Sequence, residues 1–208
     1  MVGGPGDDIL VGTDGNDVIL GRAGNDRIDG KGGHDILCGG SGDNLIIGGP
    51  GDDYLLGGEG VDQLIGGPGN DFLRGDESDD LLIGQEGGDF LSGNQGNNIL
   101  LGGDPISEDD DELAIIYGFY RRDIILGSIG NDVLIGARGD DALLAFGGHD
   151  ILQGMEGDDT LIGHYGDDFL DGGLGNGDEC NGSEGSDASA KCELIISIER
   201  GEQRGLPD

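Results

Sequence analysis

The chain has 208 residues, 44 of them Asp or Glu against 10 Lys or Arg, a formal charge of −34, and 49 glycines. So acidic a balance excludes binding to a nucleic-acid backbone, which needs basic side chains. No apolar run approaches the roughly 20 residues that span a bilayer. Unpatterned acidity of this kind signals a disordered, solvating chain, but here the acids are periodic, so the first question is the repeat.

A nine-residue unit starts at Gly3 with GGPGDDILV (3–11), followed by GTDGNDVIL (12–20), GRAGNDRID (21–29) and GKGGHDILC (30–38). It runs in register to GNQGNNILL (93–101). Residues 102–117 then number sixteen, one unit plus seven extra residues. If the extra residues lie in the turn, Ile115-Ile116-Tyr117 becomes the strand, with Ile116 inward, and Ala114 stands where other units carry Asp. That expanded turn, 102–114, holds the acidic run Glu108–Glu112, and an exposed acidic loop is expected at 104–112. Two domains divided at residue 102 are the rival reading. Units resume with GFYRRDIIL (118–126) and continue through GHYGDDFLD (163–171). Residues 172–208 are expected to hold degenerate repeats, a capping strand and a tail.

Read as columns, the seventeen regular units show what each position does. Column one is Gly except at Ala145, and column four is Gly except at Ser78 and Arg121. Column six is Asp except at Asn44 and Asn98, and column eight is Leu or Ile throughout, from Leu10 to Leu170. Two glycines within four residues let the backbone take positive φ and turn tightly. The last three residues form a short strand whose middle side chain points inward. Two units then close one coil of an all-β, two-sheet parallel solenoid over 3–171. With the expanded turn counted as a unit this makes about nine coils, a stack about 43 Å long at the usual strand spacing.

Assigning alternate units to the two sheets puts Val18, Ile36, Tyr54, Phe72, Phe90, Ile115, Val133, Ile151 and Phe169 in one outward column. Column nine of the other sheet is nearly as apolar, broken by Asp29. Such stripes reflect strand propensity or a contact face for a second copy or a partner domain.

The unit Gly-Gly-x-Gly-x-Asp-x-Leu/Ile-x resembles the RTX (repeats-in-toxin) nonapeptide family of secreted bacterial toxins, proteases and lipases, over about four-fifths of the chain. The resemblance implies a right-handed parallel β-roll. It further implies multiple Ca2+ ions held between turns stacked on the same side, by column-six carboxylates and turn carbonyls. The ligands carried over are Asp8, Asp17, Asp26, Asp35, Asp53, Asp62, Asp71, Asp80, Asp89, Asp123, Asp132, Asp141, Asp150, Asp159 and Asp168. Asn44 and Asn98 keep an oxygen without the charge and are expected as weaker ligands; Asp187, in a degenerate turn, is the last. Calcium tolerates an irregular mixture of carboxylate and carbonyl oxygens better than magnesium does. Arg121 and Arg122 are expected to neutralise neighbouring carboxylates, leaving fewer ions around 102–123.

The segment with Cys180 and Cys192 is similar to the cysteine-bearing end of some secreted members, which implies a disulfide-linked cap; a reduced pair is the alternative. Cys38, in column nine, is read as an incidental exposed thiol. His34, His149 and His164 fall at variable turn positions and are read as solvated. No Gly-x-Ser-x-Gly, His-Glu-x-x-His or phosphate-loop motif occurs. Column-six carboxylates one coil apart repel by about 1–3.5 kcal/mol, and the core is one residue deep, so folding is expected to draw on metal binding. The expectation is a non-enzymatic, extracellular calcium-binding module serving as a structural or interaction element. The alternative is the carrier portion of a larger secreted enzyme or toxin. No signal peptide precedes Gly3, so export is expected to follow removal, excision or a C-terminal signal.

Overall fold

The structure, a computed structural model, describes residues 1–103, 114–192 and 194–197. The acidic loop expected at 104–112 and the tail after Ser197 lie outside the described residues. Column eight governs the fold. The three-residue strands of the first sheet bury one inward side chain between two outward ones, as in Ile9–Val11, Arg27–Asp29 and Leu45–Ile47. The inward residues from Ile19 to Leu161 are fully buried, each contributing about 1.5–3 kcal/mol of apolar burial. The core is therefore two facing ladders of single Leu and Ile side chains.

Among the described residues the chain forms an eleven-stranded and a ten-stranded sheet, wound alternately. The first runs from Ile9–Val11 to Leu194–Ser197 and the second from Val18–Ala23 to Ala188–Ala190. Every pairing is parallel and joins residues one coil apart, as in Ile9 with Arg27 and Tyr54 with Phe72. Parallel neighbours need no helical crossover here, because each turn delivers the chain to the opposite sheet.

The winding makes about ten coils, one more than the regular units count, because the degenerate end still pairs. Cys180 lies opposite Leu161 and Ile195, and Leu170 opposite Ser189. Cys180 takes the inward position in its strand, buried in the core ladder, and is bonded to Cys192 with the Cα atoms 5.9 Å apart. The sheets also run through the expanded turn. Ile115 pairs with Phe90 on one side and Val133 on the other, and Ile116 is fully buried.

On the outer face of the ten-stranded sheet, register brings Tyr54, Phe72 and Phe90 into one stack, with ring centroids 4.5 and 4.9 Å apart and planes within 7°. Tyr117 extends it at 5.7 Å. Cys38 is half-buried on this face instead of exposed, and burial pushes its thiol pKa up.

Candidate metal centre

The turns place their oxygens by backbone conformation. Positive φ falls on columns two and four, not on columns one and four as expected. Gly51, in column four, sits at φ 140°, and column two is left-handed even where it carries Lys31 (84°) or Gln85 (84°). Column one is Gly for space: a Cβ on Gly48 would collide with the Asp53 carboxylate and with the carbonyl oxygen of Gly66, one coil on. A Cβ is accommodated there once, at Ala145, which is fully buried.

That crowding buries the column-six carboxylates and divides the work of their two oxygens. Oδ1 accepts the main-chain N–H of the column-six residue one coil earlier. Asp35 donates to Asp53, Asn44 to Asp62, Asp53 to Asp71 and Asp123 to Asp141, each at 2.8 Å. Oδ2 is different. In Asp26, Asp35, Asp53, Asp62, Asp71, Asp80, Asp123, Asp141, Asp150, Asp159 and Asp168 it is buried with no hydrogen-bond partner. Leaving a buried carboxylate oxygen unmatched costs several kcal/mol unless something positive neutralises it.

The two Asn substitutions reveal what that oxygen faces. Asn44 turns Nδ2 into the position beside Gly39 that Asp53 Oδ2 occupies beside Gly48. From there it donates to the column-four carbonyl of Gly42 (2.9 Å) and to Asp62 Oδ1 (2.9 Å). Asn98 Nδ2 likewise donates to Gly96 (3.4 Å). An amide satisfies the place internally; a carboxylate sets oxygen against oxygen.

Among the described residues no side-chain cation pairs with these oxygens. The ion pairs among the described residues are Lys31–Asp29, His34–Asp52, Arg74–Asp76, Arg138–Glu156 and Lys191–Asp171, none of which involves column six. Arg121 and Arg122 form no ion pair with a described residue, and Asp123 keeps its unpartnered Oδ2. Neither arginine pairs with the Asp123 carboxylate, because both are exposed while it is buried. Arg121 instead lies close enough to the exposed Asp79 to help lower its carboxyl pKa, after the hydrogen bonds from Asn97.

Burial, aided by like-charged neighbours, raises the carboxyl pKa values. Asp53 and Asp62 are pushed up to about 6, Asp71 and Asp159 to about 7, and Asp80 and Asp150 to about 8. In Asp123 (about 7) and Asp141 (about 6) burial is again the leading cause. With no cation, protons are drawn in to do the neutralising.

The donor set fits a hard divalent cation. It is all oxygen, carboxylate and carbonyl mixed, in turns repeated at each coil. Among the described residues no three His, Cys, Asp or Glu side chains converge on one point, so carbonyl oxygens would have to complete any shell. That requirement suits calcium and not a thiolate- or imidazole-seeking metal.

A family model for the RTX calcium-binding nonapeptide repeat matches residues 2–37, 39–73, 74–104, 117–145 and 144–179. The chain belongs to the RTX calcium-binding nonapeptide repeat family. The comparison with curated proteins found no match.

The column-six residues named as expected ligands lie along the two turn rows. Asp8 and Asp17 open the rows and, like Asp132, have Oδ2 already hydrogen-bonded within the turn. Asp187 accepts the Asp168 N–H at 3.0 Å. Sequence reasoning missed Asp178, which is fully buried and accepts the Asp159 N–H at 2.9 Å. One extra residue in its unit shifts it out of the nine-residue frame. Column five was also passed over as variable. Its Asp, Asn and His side chains accept the N–H of the column-five residue one coil on, as with Asn16 to His34 and Asp52 to Asn70. His34 and His149 belong to this ladder through Nδ1, and His164 stacks on Phe146 at 5.7 Å. The recurrence of Asp, Asn and His in that column was the available signal.

Proposed function

We propose that the chain is a non-enzymatic, extracellular module that binds several calcium ions and folds because it binds them, serving as a structural or interaction element. The buried, partnerless Oδ2 atoms along both turn rows carry this reading. When bound, calcium supplies the positive charge these atoms lack. Asp26, Asp62, Asp80, Asp123, Asp141 and Asp159 would hold it in one row, and Asp35, Asp53, Asp71, Asp150 and Asp168 in the other, with turn carbonyls completing the donor sets.

The energetic logic follows from the roll. A core one side chain deep leaves little surplus over the entropy of ordering a glycine-rich backbone, and stacked carboxylates oppose coil upon coil. Coordination replaces repulsion only in the wound state, so binding free energy becomes folding free energy. The Cys180–Cys192 disulfide supports an oxidising compartment, where calcium is also abundant.

Far-UV circular dichroism of the metal-stripped chain during a calcium titration tests the reading. An unfolded spectrum that becomes β-rich on calcium addition is expected. A native-like spectrum persisting in excess EGTA would overturn it.

A further inference from the structure

The turns divide into two conformations. In three turns of one row whose column two is left-handed, its N–H points along the row to the next coil's column-one carbonyl: Gly49 to Gly66 (2.9 Å), Gly67 to Gly84 (3.0 Å) and Gln85 to Gly102 (3.0 Å). Neither Thr13 nor Ser128 has a positive φ. In turn 127–132 the Ser128 N–H swings inward and donates to Asp132 Oδ2 at 2.6 Å, and the Ser128 hydroxyl contacts the same oxygen at 3.2 Å. The hydroxyl also accepts the Gly130 N–H at 3.2 Å, so a side chain only 1% exposed has its polar groups in use. Asp132 Oδ1 is held too, by the Ala114 N–H at 2.8 Å.

Thr13 repeats the arrangement on Asp17, with N–H and hydroxyl at 2.7 and 2.8 Å. These two donors hold the Asp17 carboxyl pKa below its ordinary value. Thr13 lies in the first turn of its row, where no earlier coil packs on it. Ser128 lies in the same row immediately after the turn in which Ala114 replaces the column-six carboxylate.

We infer that Ser128 takes the place of an ion in turn 127–132, capping Asp132 internally and, with Ala114, dividing this row's calcium sites into one set up to Asp89 and another from Asp150 onward. The inference rests on the calcium-binding reading above. Its physical content is a choice between two donors for one oxygen. A hydroxyl-bearing residue at column two satisfies the carboxylate with the turn's own N–H and O–H. A left-handed residue sends that N–H elsewhere and leaves the oxygen for a cation. Ser128 therefore restarts the row as Thr13 starts it.

The test is the number of calcium ions retained by the full chain at saturation, measured by equilibrium dialysis and atomic absorption. Variants are Ser128→Gly, Ala114→Asp with Ser128→Gly, and Ser128→Thr. Glycine at column two is left-handed in Gly49 and Gly67, whereas Gly4, in a first turn with no earlier coil, caps Asp8 Oδ2 with its own N–H at 2.6 Å. The double variant, which restores the neighbouring carboxylate, is therefore the decisive one, and circular dichroism in calcium verifies folding. The double variant is expected to gain about one ion, since it restores a carboxylate and frees another, while Ser128→Thr keeps the wild-type count. An unchanged count in a folded double variant would overturn the inference and leave the calcium-binding reading intact. A wild-type chain that retains no calcium would instead remove the reading on which it rests.

Discussion

Stripped of metal over a chelating resin, the chain is expected to regain β-structure when the pH falls from about 7.5 to about 5, with no calcium added. In the wound chain Asp80 and Asp150 hold their protons up to about 8, and Asp71, Asp123 and Asp159 up to about 7. In the unfolded chain an Asp loses its proton near about 3.9. Between those values the folded state binds more protons than the unfolded one, so stability is greatest at the acid end and is lost as pH climbs through about 4 to 8. Each tenfold gain in proton affinity on folding is worth about 1.4 kcal/mol. The turn rows border solvent, so we take half of the full linkage. That leaves about 2 kcal/mol for each carboxyl and on the order of 10 kcal/mol for the five together, comparable to the whole stability of a typical domain. Far-UV circular dichroism across the range reads the transition, and sedimentation alongside separates folding from acid precipitation. A metal-free chain with no more β-signal at pH 5 than at pH 7.5 would refute the argument. With calcium present the dependence is expected to reverse, because on the proposed reading protons and the ion compete for the same Oδ2 atoms, so that apparent affinity falls as pH drops through the same window.

Replacing Phe72 and Phe90 with Asp removes the stacked contacts to Tyr54 and between the two rings, each worth about 0.5–1.5 kcal/mol. A lower urea midpoint in calcium is expected, together with a sedimentation shift toward monomer where the stripe packs against a second copy. A wild-type chain monomeric at high concentration removes self-association. Cys180→Ser with Cys192→Ser opens the cap and places a hydroxyl in the core ladder. A loss of about 2–4 kcal/mol should appear as a lower melting temperature in calcium, and an unchanged melt would show that the bond carries no stability.

The winding of the roll was legible because one constraint repeats in every unit: an inward Leu or Ile just ahead of a glycine turn forces a strand and a bend wherever it occurs. The same constraint carried through the seven-residue expansion, since Ile116 marks the inward position whatever length of turn precedes it. The nine-residue frame failed where the structure departs from it locally. Asp178 was hidden by a single extra residue, although the neighbouring coil holds it by an ordinary ladder bond from Asp159. The reason for glycine at column one was misassigned, because no unit alone reveals the carbonyl of Gly66 crowding Gly48.

The site itself is a property of two stacked coils and not of one unit. Whether an Asp oxygen is left for a cation depends on which donors the same turn aims at it and on what the coil before it provides. Ser128 and Asn98 look like minor substitutions in a single unit. They acquire meaning beside Ala114 and Gly96, where one supplies the donors that a missing neighbour makes possible and the other closes on its own turn carbonyl. On the calcium-binding reading proposed above, the column-six Asp marks a place for an ion, and column two, read with the preceding coil, is the position expected to decide whether one is needed.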